Sequence, residues 1–557
     1  MIFLQNNILL KHDLTFDDIK PCLLEPGHGA PGVLACLWLE DSLSTFWPKY
    51  SRNYEGLFNL ITTFSIPGGF PSHINAQTPG AIHKVGELGY ALSVTFGAAM
   101  DNPDLILLVP QYGPDGNIIE GSFQSHQVPL PKAKSDERHL QLLDAWLKSY
   151  NPQGLFQEDA LPVKAVWRLI PSINDKKLGQ KRESYKAYVP LDVLDWRLLA
   201  IRKVTQECCM KHVGKFLGEA IALNLKKFHI FSPDGLVSNK LDAILERTSH
   251  NFQWDMSGGH IIEILSEYTY QGMLQGYPCR SLNYIETLNW VRQEHNRFSH
   301  QNLSFIGAVL NLRPEAVRVY LPPDANCALS TVAHCIGANN YVNLIIGSKQ
   351  LMPIWLSHEE TVKHCIVGAS VQKFASIDDN INPNVILVSK GVEVTFKVIA
   401  ATSLLCKHCL NLHIQAVNII DLTVLNHKCA HPHALDDKQF NMLFTEDWPV
   451  HFNYHGYPIK LQGLLFGHPG LMEHVTIAGY KEEGTMTLPF DMMLCNNTSR
   501  FDFTIAAIHG GSRVNPKVTV NAHIEISALR HEAKKVQYYI YKHREDPEGT
   551  YATPLFY

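Results

Sequence analysis

Apolar and polar positions along the chain fall into a strand–helix alternation that begins near residue 204. A helical spacing through VTQECCMKHVGKFLGEAIAL gives way to short apolar runs, FHIFSP, HIIEILSE, SLNYIETLNW, AVRVYLPP and YVNLIIG. Between them lie segments of helical period: SNKLDAILERT, YQGMLQGY, FIGAVLNL and STVAHCI. Short apolar strands alternating with helices predict an α/β fold with a parallel, doubly wound sheet. From about residue 378 the pattern recurs with new spacing, NVILVSKG, IQAVNIID, PVHFNYHG and VTIAGYKE as strands and VTFKVIAATSLL and DKQFNMLF as helices, which predicts a second α/β domain. The tail, IEISALRHEAKKVQYYIYKHRED, has the period of an amphipathic helix. Residues 1–130 instead alternate Gly/Pro-rich loops with two helical patterns and end in an apolar strand, Leu105 to Val109. Residues 131–196 are polar and read as a linker built around one helix, KAKSDERHLQLLDAWLKSY. The predicted domains are therefore 1–130, 197–377 and 378–557, with the linker after the first.

One stretch breaks the pattern, SIPGGFPSHINAQTPGAIHKVGELGY, from Ser65 to Tyr90. Its glycines and prolines mark sharp turns or close backbone approach, and His73 and His83 lie among them. It reads as a loop feeding a helix, where chemistry commonly sits; a rigid surface connector is the bland alternative.

Composition narrows the function classes. With 557 residues, two to four domains are expected. A net charge of -5 and no polybasic block argue against a nucleic-acid partner. The start, MIFLQNNILLKHD, lacks the pattern of a signal peptide or a membrane span, so no membrane partner is expected. The 12 cysteines are scattered, and Cys208 and Cys209 are adjacent, which suits thiols of a reducing, cytoplasmic compartment. Cys406 and Cys409, with His413 nearby, have no second ligand pair at zinc spacing and read as thiols on a helix.

In parallel sheets, ligand groups gather at the carboxyl ends of strands. That rule selects Glu267 after IIEILS, Asn296 and His300 after SLNYIETLNW, and Lys349 after YVNLIIG. Taken singly, each is more often a solvated strand end than a catalyst; several at equivalent ends of one sheet bring the two readings level.

The segments EPGHGAPG, PGGFPSHINAQTPGAIHKVGELGY, SFQSHQVPL, RQEHNRFSHQ, VYLPPDAN, HFNYHGYP and GYKEEGTMTLPFDM, in this order, resemble the phosphoketolases nearly end to end. The resemblance implies a transketolase-like fold and the cofactors thiamine diphosphate and Mg²⁺. It implies cleavage of xylulose 5-phosphate or fructose 6-phosphate with inorganic phosphate, giving acetyl phosphate and an aldose phosphate: a carbon–carbon lyase of carbohydrate metabolism, a homodimer or higher oligomer. Carried over by position, His28, His73, His126 and His300 match active-site histidines, and Asn296 an active-site asparagine. Glu267 in LSEY matches the glutamate that hydrogen-bonds the thiamine pyrimidine. Gly86 matches a glycine against the cofactor, and Ser238, Lys240 and Lys349 match positions holding the sugar phosphate, where a dianion requires cationic donors.

The chain also departs from the family. Three junctions lack family segments: IKPCLL runs into EPGHG, LILLVP into QYGPDGN, and LQGYP into CRSLNY. At the second, the resemblance calls for a Gly-Asp-Gly motif and a later asparagine that hold Mg²⁺ and the diphosphate; no Gly-Asp-Gly occurs in the sequence, so no metal-binding residue is assigned. Gly235 stands where the family has glutamate, and Arg297 where it has glycine. The N-terminal domain is thus expected to be truncated. Two readings follow, an enzyme of the family, or a non-catalytic paralogue or incomplete gene product that pairs with an intact homologue.

Overall fold

The computed structural model describes residues 30–71, 73, 78–80, 93–94, 132–149, 151–159, 161–168, 170, 177, 190–225, 228–251, 258–264, 266–276, 281–287, 303–377, 382–409, 411–481, 487–554 and 556. The chain divides into two compact units, Met1–Tyr188 with Leu265–Cys279, and Val189–Ile264 with Arg280–Tyr557. Among the described residues, no helix is long and apolar enough to cross a membrane.

In the first unit, helices α1 (Ala30–Leu39), α2 (Ser42–Phe46) and α3 (Tyr54–Thr62) close on a core that includes Leu37, Trp38, Leu43, Tyr50, Leu60 and Phe70. Asn53 caps α3 by accepting the Gly56 N–H at 2.7 Å, which satisfies one of the donors a helix start leaves open. The Pro-Gly-Gly segment after it is a turn, as its residues predict: Ser65 and Gly68 have positive φ, and Ser65 N–H donates to Phe70 O at 2.7 Å. A Cβ on Gly69 would lie 1.7 Å from Thr63 O, so only glycine fits there. The linker helix α4 (Glu137–Ser149) forms where expected, with none of its residues buried. The helix Glu267–Gly276 also belongs to this unit, and Gly272 packs against Ser93 so closely that a Cβ would fall 2.4 Å from the serine Cβ.

The second unit carries all twelve described strands. β1 (Gln206–Cys208) precedes α5 (Cys209–Leu223); β2 (Ile230–Ser232) pairs in parallel with β3 (Ile261–Glu263). β4 (Leu282–Glu286), β5 (Val317–Tyr320) and β6 (Val342–Ile346) form a parallel sheet with β6 in the middle, and β7 (Leu351–Pro353) runs antiparallel to β1. The predicted doubly wound sheet of residues 197–377 is therefore, among the described residues, three smaller sheets rather than one. SNKLDAILERT, read above as a helix, is turns followed by a 3-10 segment, Asp242–Glu246; Lys240 at φ 60° takes the left-handed conformation that a helix excludes.

A five-stranded sheet follows, in the order β12 (Val475–Ala478), β11 (Val450–Tyr454), β9 (Val385–Lys390), β10 (Ile414–Ile419) and β8 (Ala369–Val371). All neighbours pair in parallel except β8, an antiparallel edge too short to register as an apolar run. Every residue of β9 and β11 is buried, as expected for parallel strands covered on both faces. One face, with Ile386, Val388 and Phe452, shares a core with Val319, Leu344 and Ile346 of the three-stranded sheet. The other, with Val385 and Leu387, packs against α6 (Val392–His408) and a later helix through Val398, Leu405, Phe503 and Ile508. The two sheets are also bonded through an ion pair between half-buried Arg318 and buried Asp421: Arg318 Nε donates to Asp421 Oδ2 at 2.8 Å. The predicted tail helix is Ala522–His543.

Candidate active site

The carboxyl end of β4 is where three strand-end loops of the second unit meet. β2 ends at Ser232 and turns through 234–241, a loop built on its own carboxylate: Asp234 accepts the Gly235 N–H at 2.8 Å and bonds from Ser238 Oγ and Asn239 Nδ2, both at 3.3 Å. Glu263 at the end of β3 pins this loop, Oε1 accepting the Leu236 N–H at 2.9 Å while Oε2 lies 3.1 Å from His250. The loop then reaches β4, where Thr287 donates its hydroxyl to Asn239 Oδ1. From the other side, Gly347 after β6 donates its N–H to the Glu286 carbonyl at 2.8 Å. Ser348 is fixed below it, its carbonyl accepting the Met210 N–H at 3.3 Å at the start of α5.

Ser238 and Lys240 flank Asn239, and Lys349 follows Ser348, so these three predicted residues ride on loops tied to consecutive residues of one strand end. Ser238 and Lys240 are exposed and Lys349 half-buried. Among the described residues neither ammonium has a carboxylate partner. Burial raises the Cys208 thiol above its ordinary value, while the charges of Lys240 and Lys211 act against that shift, which places Lys240 within electrostatic reach of the start of α5. Lys240 and Lys349 thus stand on strand-end loops, the position where ligand groups gather in parallel sheets.

Glu286 itself was passed over in the sequence, because it lies inside a strand pattern. Part of the residue reaches solvent, but its Oε2 does not and accepts no hydrogen bond. Burial raises its carboxyl to about 7. Asn239, Thr287 and Glu263 were also missed; each is an ordinary polar residue whose role exists only in the folded loop.

The remaining predicted residues are placed as follows. Glu267 is exposed and is the first residue of the helix Glu267–Gly276, in the first unit. His73 is half-buried just after the Pro-Gly-Gly turn. His28, Gly86, His126, Asn296 and His300 lie outside the described residues. Cys406 lies in α6 and Cys409 at its end; among the described residues no group of three or more His, Cys, Asp and Glu is arranged to hold a metal.

Comparison with known proteins covers nearly the whole chain. The XFP N-terminal domain matches residues 6–113 and 108–189, D-xylulose 5-phosphate/D-fructose 6-phosphate phosphoketolase matches 211–280 and 278–338, and the XFP C-terminal domain matches 349–555. The first two matches each break, at 108–113 and 278–280, where two of the three shortened junctions lie. A probable phosphoketolase of Schizosaccharomyces pombe is 35% identical over 716 positions, covering 99% of this chain and 86% of that one. An alignment of that length against 557 residues means that the relative carries segments with no counterpart here. A probable phosphoketolase 2 of Nostoc is 30% identical, covering 97% and 89%. Among solved structures, a transketolase of Leishmania mexicana aligns at 12% identity with a TM-score of 0.57, over 89% of this chain and 90% of that one. A Pichia stipitis transketolase in complex with sedoheptulose 7-phosphate aligns at 12% identity and 0.56, over 89% and 90%. The fold is that of the transketolases, with the N-terminal domain cut short, and the chain belongs to the phosphoketolase family.

Proposed function

We propose that this chain cleaves xylulose 5-phosphate or fructose 6-phosphate with inorganic phosphate, to acetyl phosphate and an aldose phosphate. The family match over 6–189, 211–338 and 349–555 carries the reading. The loops tied to the end of β4 support it, since Ser238, Lys240 and Lys349 on them offer what the sugar phosphate's dianion needs.

The fit to the cofactor is divided. On the pyrimidine side, Glu267 is retained as an exposed carboxylate at a helix start, ready to accept a hydrogen bond. On the diphosphate side, the Gly-Asp-Gly segment has no counterpart in the sequence. In the family, thiamine diphosphate with Mg²⁺ supplies the carbanion chemistry; this chain's own residues bind and move protons. His28, His73, His126 and His300 are proposed to exchange protons with the substrate hydroxyls, with Asn296 orienting them and Gly86 against the cofactor.

We place the reaction in the cytoplasm, where the described cysteines, buried Cys209, Cys327 and Cys335 among them, persist as thiols. We propose a homodimer, and the domains 1–130, 197–377 and 378–557. The test is acetyl phosphate formation from xylulose 5-phosphate, phosphate, Mg²⁺ and thiamine diphosphate, with Glu267→Gln as the control; activity unchanged by that substitution removes Glu267 from the mechanism. A second reading, a non-catalytic paralogue or incomplete product pairing with an intact homologue, is favoured by the missing segments. Calorimetry separates the two, since micromolar binding of thiamine diphosphate counts against the second.

A further inference from the structure

The five-stranded sheet of the C-terminal region has a topological switch point of its own. β9 is followed by β10 on one side, and the chain then crosses back to form β11 on the other. In open parallel sheets, the crevice outside the carboxyl ends of two such strands is where ligands bind. The last residue of β9 is Lys390, the last of β11 is Tyr454, and the two are register partners, so their side chains share a face.

Both are out of solvent, Lys390 at 0% exposure and Tyr454 at 0%, and both end in an unpartnered polar atom, the Lys390 Nζ and the Tyr454 hydroxyl. The ammonium lies 4.9 Å from the Phe452 ring centre and 5.8 Å from that of Tyr454. Ring faces attract a cation only modestly against the cost of taking an ammonium out of water. The rings do not offset that cost, and burial alone drives the Lys390 ammonium well below its ordinary value. Tyr454 moves the other way, burial holding it protonated, so it keeps a hydrogen to donate.

The surroundings are built closely around these two groups. A Cβ on Gly456 would lie 2.6 Å from the Tyr454 hydroxyl. Gly391, directly after Lys390, has φ 108°, and a Cβ there would lie 2.9 Å from that of His455. The next helix, Pro458–Leu465, sends Leu461 and Leu465 into the core that holds Tyr454, so it packs on the same face of the sheet as Lys390. Its first residue follows β11 by four positions, and no side chain caps its start.

We propose that Lys390 and Tyr454 form a second anion site, at the β9–β11 switch point, which takes a small phosphate-class oxyanion. The anion returns to the ammonium the counter-charge that the protein withholds, and the phenol donates to one of its oxygens. This site is separate from the Ser238, Lys240 and Lys349 loops and does not rest on the catalytic reading.

The experiment is thermal unfolding of the full chain, incubated with rising inorganic phosphate at constant ionic strength. A ligand that binds only the folded state raises Tm with concentration. The expected result is a phosphate-dependent rise in wild type that persists in Lys240→Met/Lys349→Met, disappears in Lys390→Met, and needs several-fold more phosphate in Tyr454→Phe. Lys390→Met keeps the length of the side chain and removes a buried charge, and Tyr454→Phe removes only an oxygen, so both should fold. Glycerol phosphate in a parallel series distinguishes a site for the free anion from one that accepts a monoester. No rise in wild type, or an equal rise in Lys390→Met, overturns the proposal. A rise lost only in Lys240→Met/Lys349→Met assigns the effect to the substrate loops and overturns it as well.

Discussion

Replacing Glu286 by glutamine should make the protein more stable above neutrality, the reverse of what loss of a charged residue ordinarily does. The Glu286 carboxyl titrates at about 7 in the folded chain against an ordinary value of 4.5, because burial penalises the charged form. Between those two values the folded state holds a proton that the unfolded state has released. Stability is therefore greatest with respect to this group below pH 4.5 and is lost as pH rises through 7. Each pKa unit corresponds to about 1.4 kcal/mol, so the loss reaches about 3 kcal/mol at pH 8. Glutamine has the shape of the protonated acid and never ionises. The measurement is urea unfolding of wild type and Glu286→Gln from pH 5 to pH 8, read as the difference between the two curves, which cancels every other titrating group. That difference should be small at pH 5 and favour the variant by about 3 kcal/mol at pH 8. Parallel curves would refute the claim that the carboxyl is desolvated in the folded state.

Other outcomes follow from the same geometry. Asp421→Ala leaves the half-buried Arg318 without its partner and should cost about 1–3 kcal/mol in denaturant unfolding, while Arg318→Met with Asp421→Leu recovers most of it. His364 is buried with Nε2 donating to Asn418 Oδ1 at 2.8 Å and Nδ1 accepting from Ser370 Oγ at 2.7 Å, and burial lowers it to about 4. Its folded value lies below the ordinary 6.5, so its contribution is complete above pH 6.5 and is lost as pH falls through 4; acid unfolding should show up to about 3 kcal/mol of such loss, absent in His364→Gln. Limited proteolysis should cut within residues 1–130 and leave 197–557 resistant; a resistant N-terminal part, seen by mass spectrometry, would refute the prediction.

The central strands of the five-stranded sheet were legible in the sequence because they are buried on both faces. β9 opens on the unbroken apolar run VILV, and PVHFNYHG reads as a strand although His451 and Asn453 are buried within it along with its apolar residues. What escaped notice was set by partners distant in sequence. β1 and β7 are three-residue strands that exist only through each other. SNKLDAILERT has helical period, yet Asp234, Glu263 and Thr287 hold its first half in a loop. Ser238 and Lys240 were named by resemblance alone and Lys349 by resemblance and strand-end position together; Glu286 and Lys390 were not named, since nothing local distinguishes a buried charge from a solvated one.

The shortened junctions weigh differently on fold and on site. The break at 278–280 falls between a helix that ends at Gly276 and a strand that begins at Leu282, and β4 nevertheless pairs with β6 over five residues, Leu282 to Glu286. Sheet pairing depends on register and burial within the strands, so a connection can shorten without moving the core. Binding groups are carried on such connections, by contrast, because only there can a side chain leave the packed layers and meet a ligand. Loss confined to connections thus leaves the architecture standing and subtracts from the site. Ser238, Lys240 and Lys349 lie on strand-end loops of the second unit, while no Gly-Asp-Gly occurs in the sequence, where the resemblance calls for one after Val109. Cofactor affinity, rather than stability, is where the shortening should be felt first.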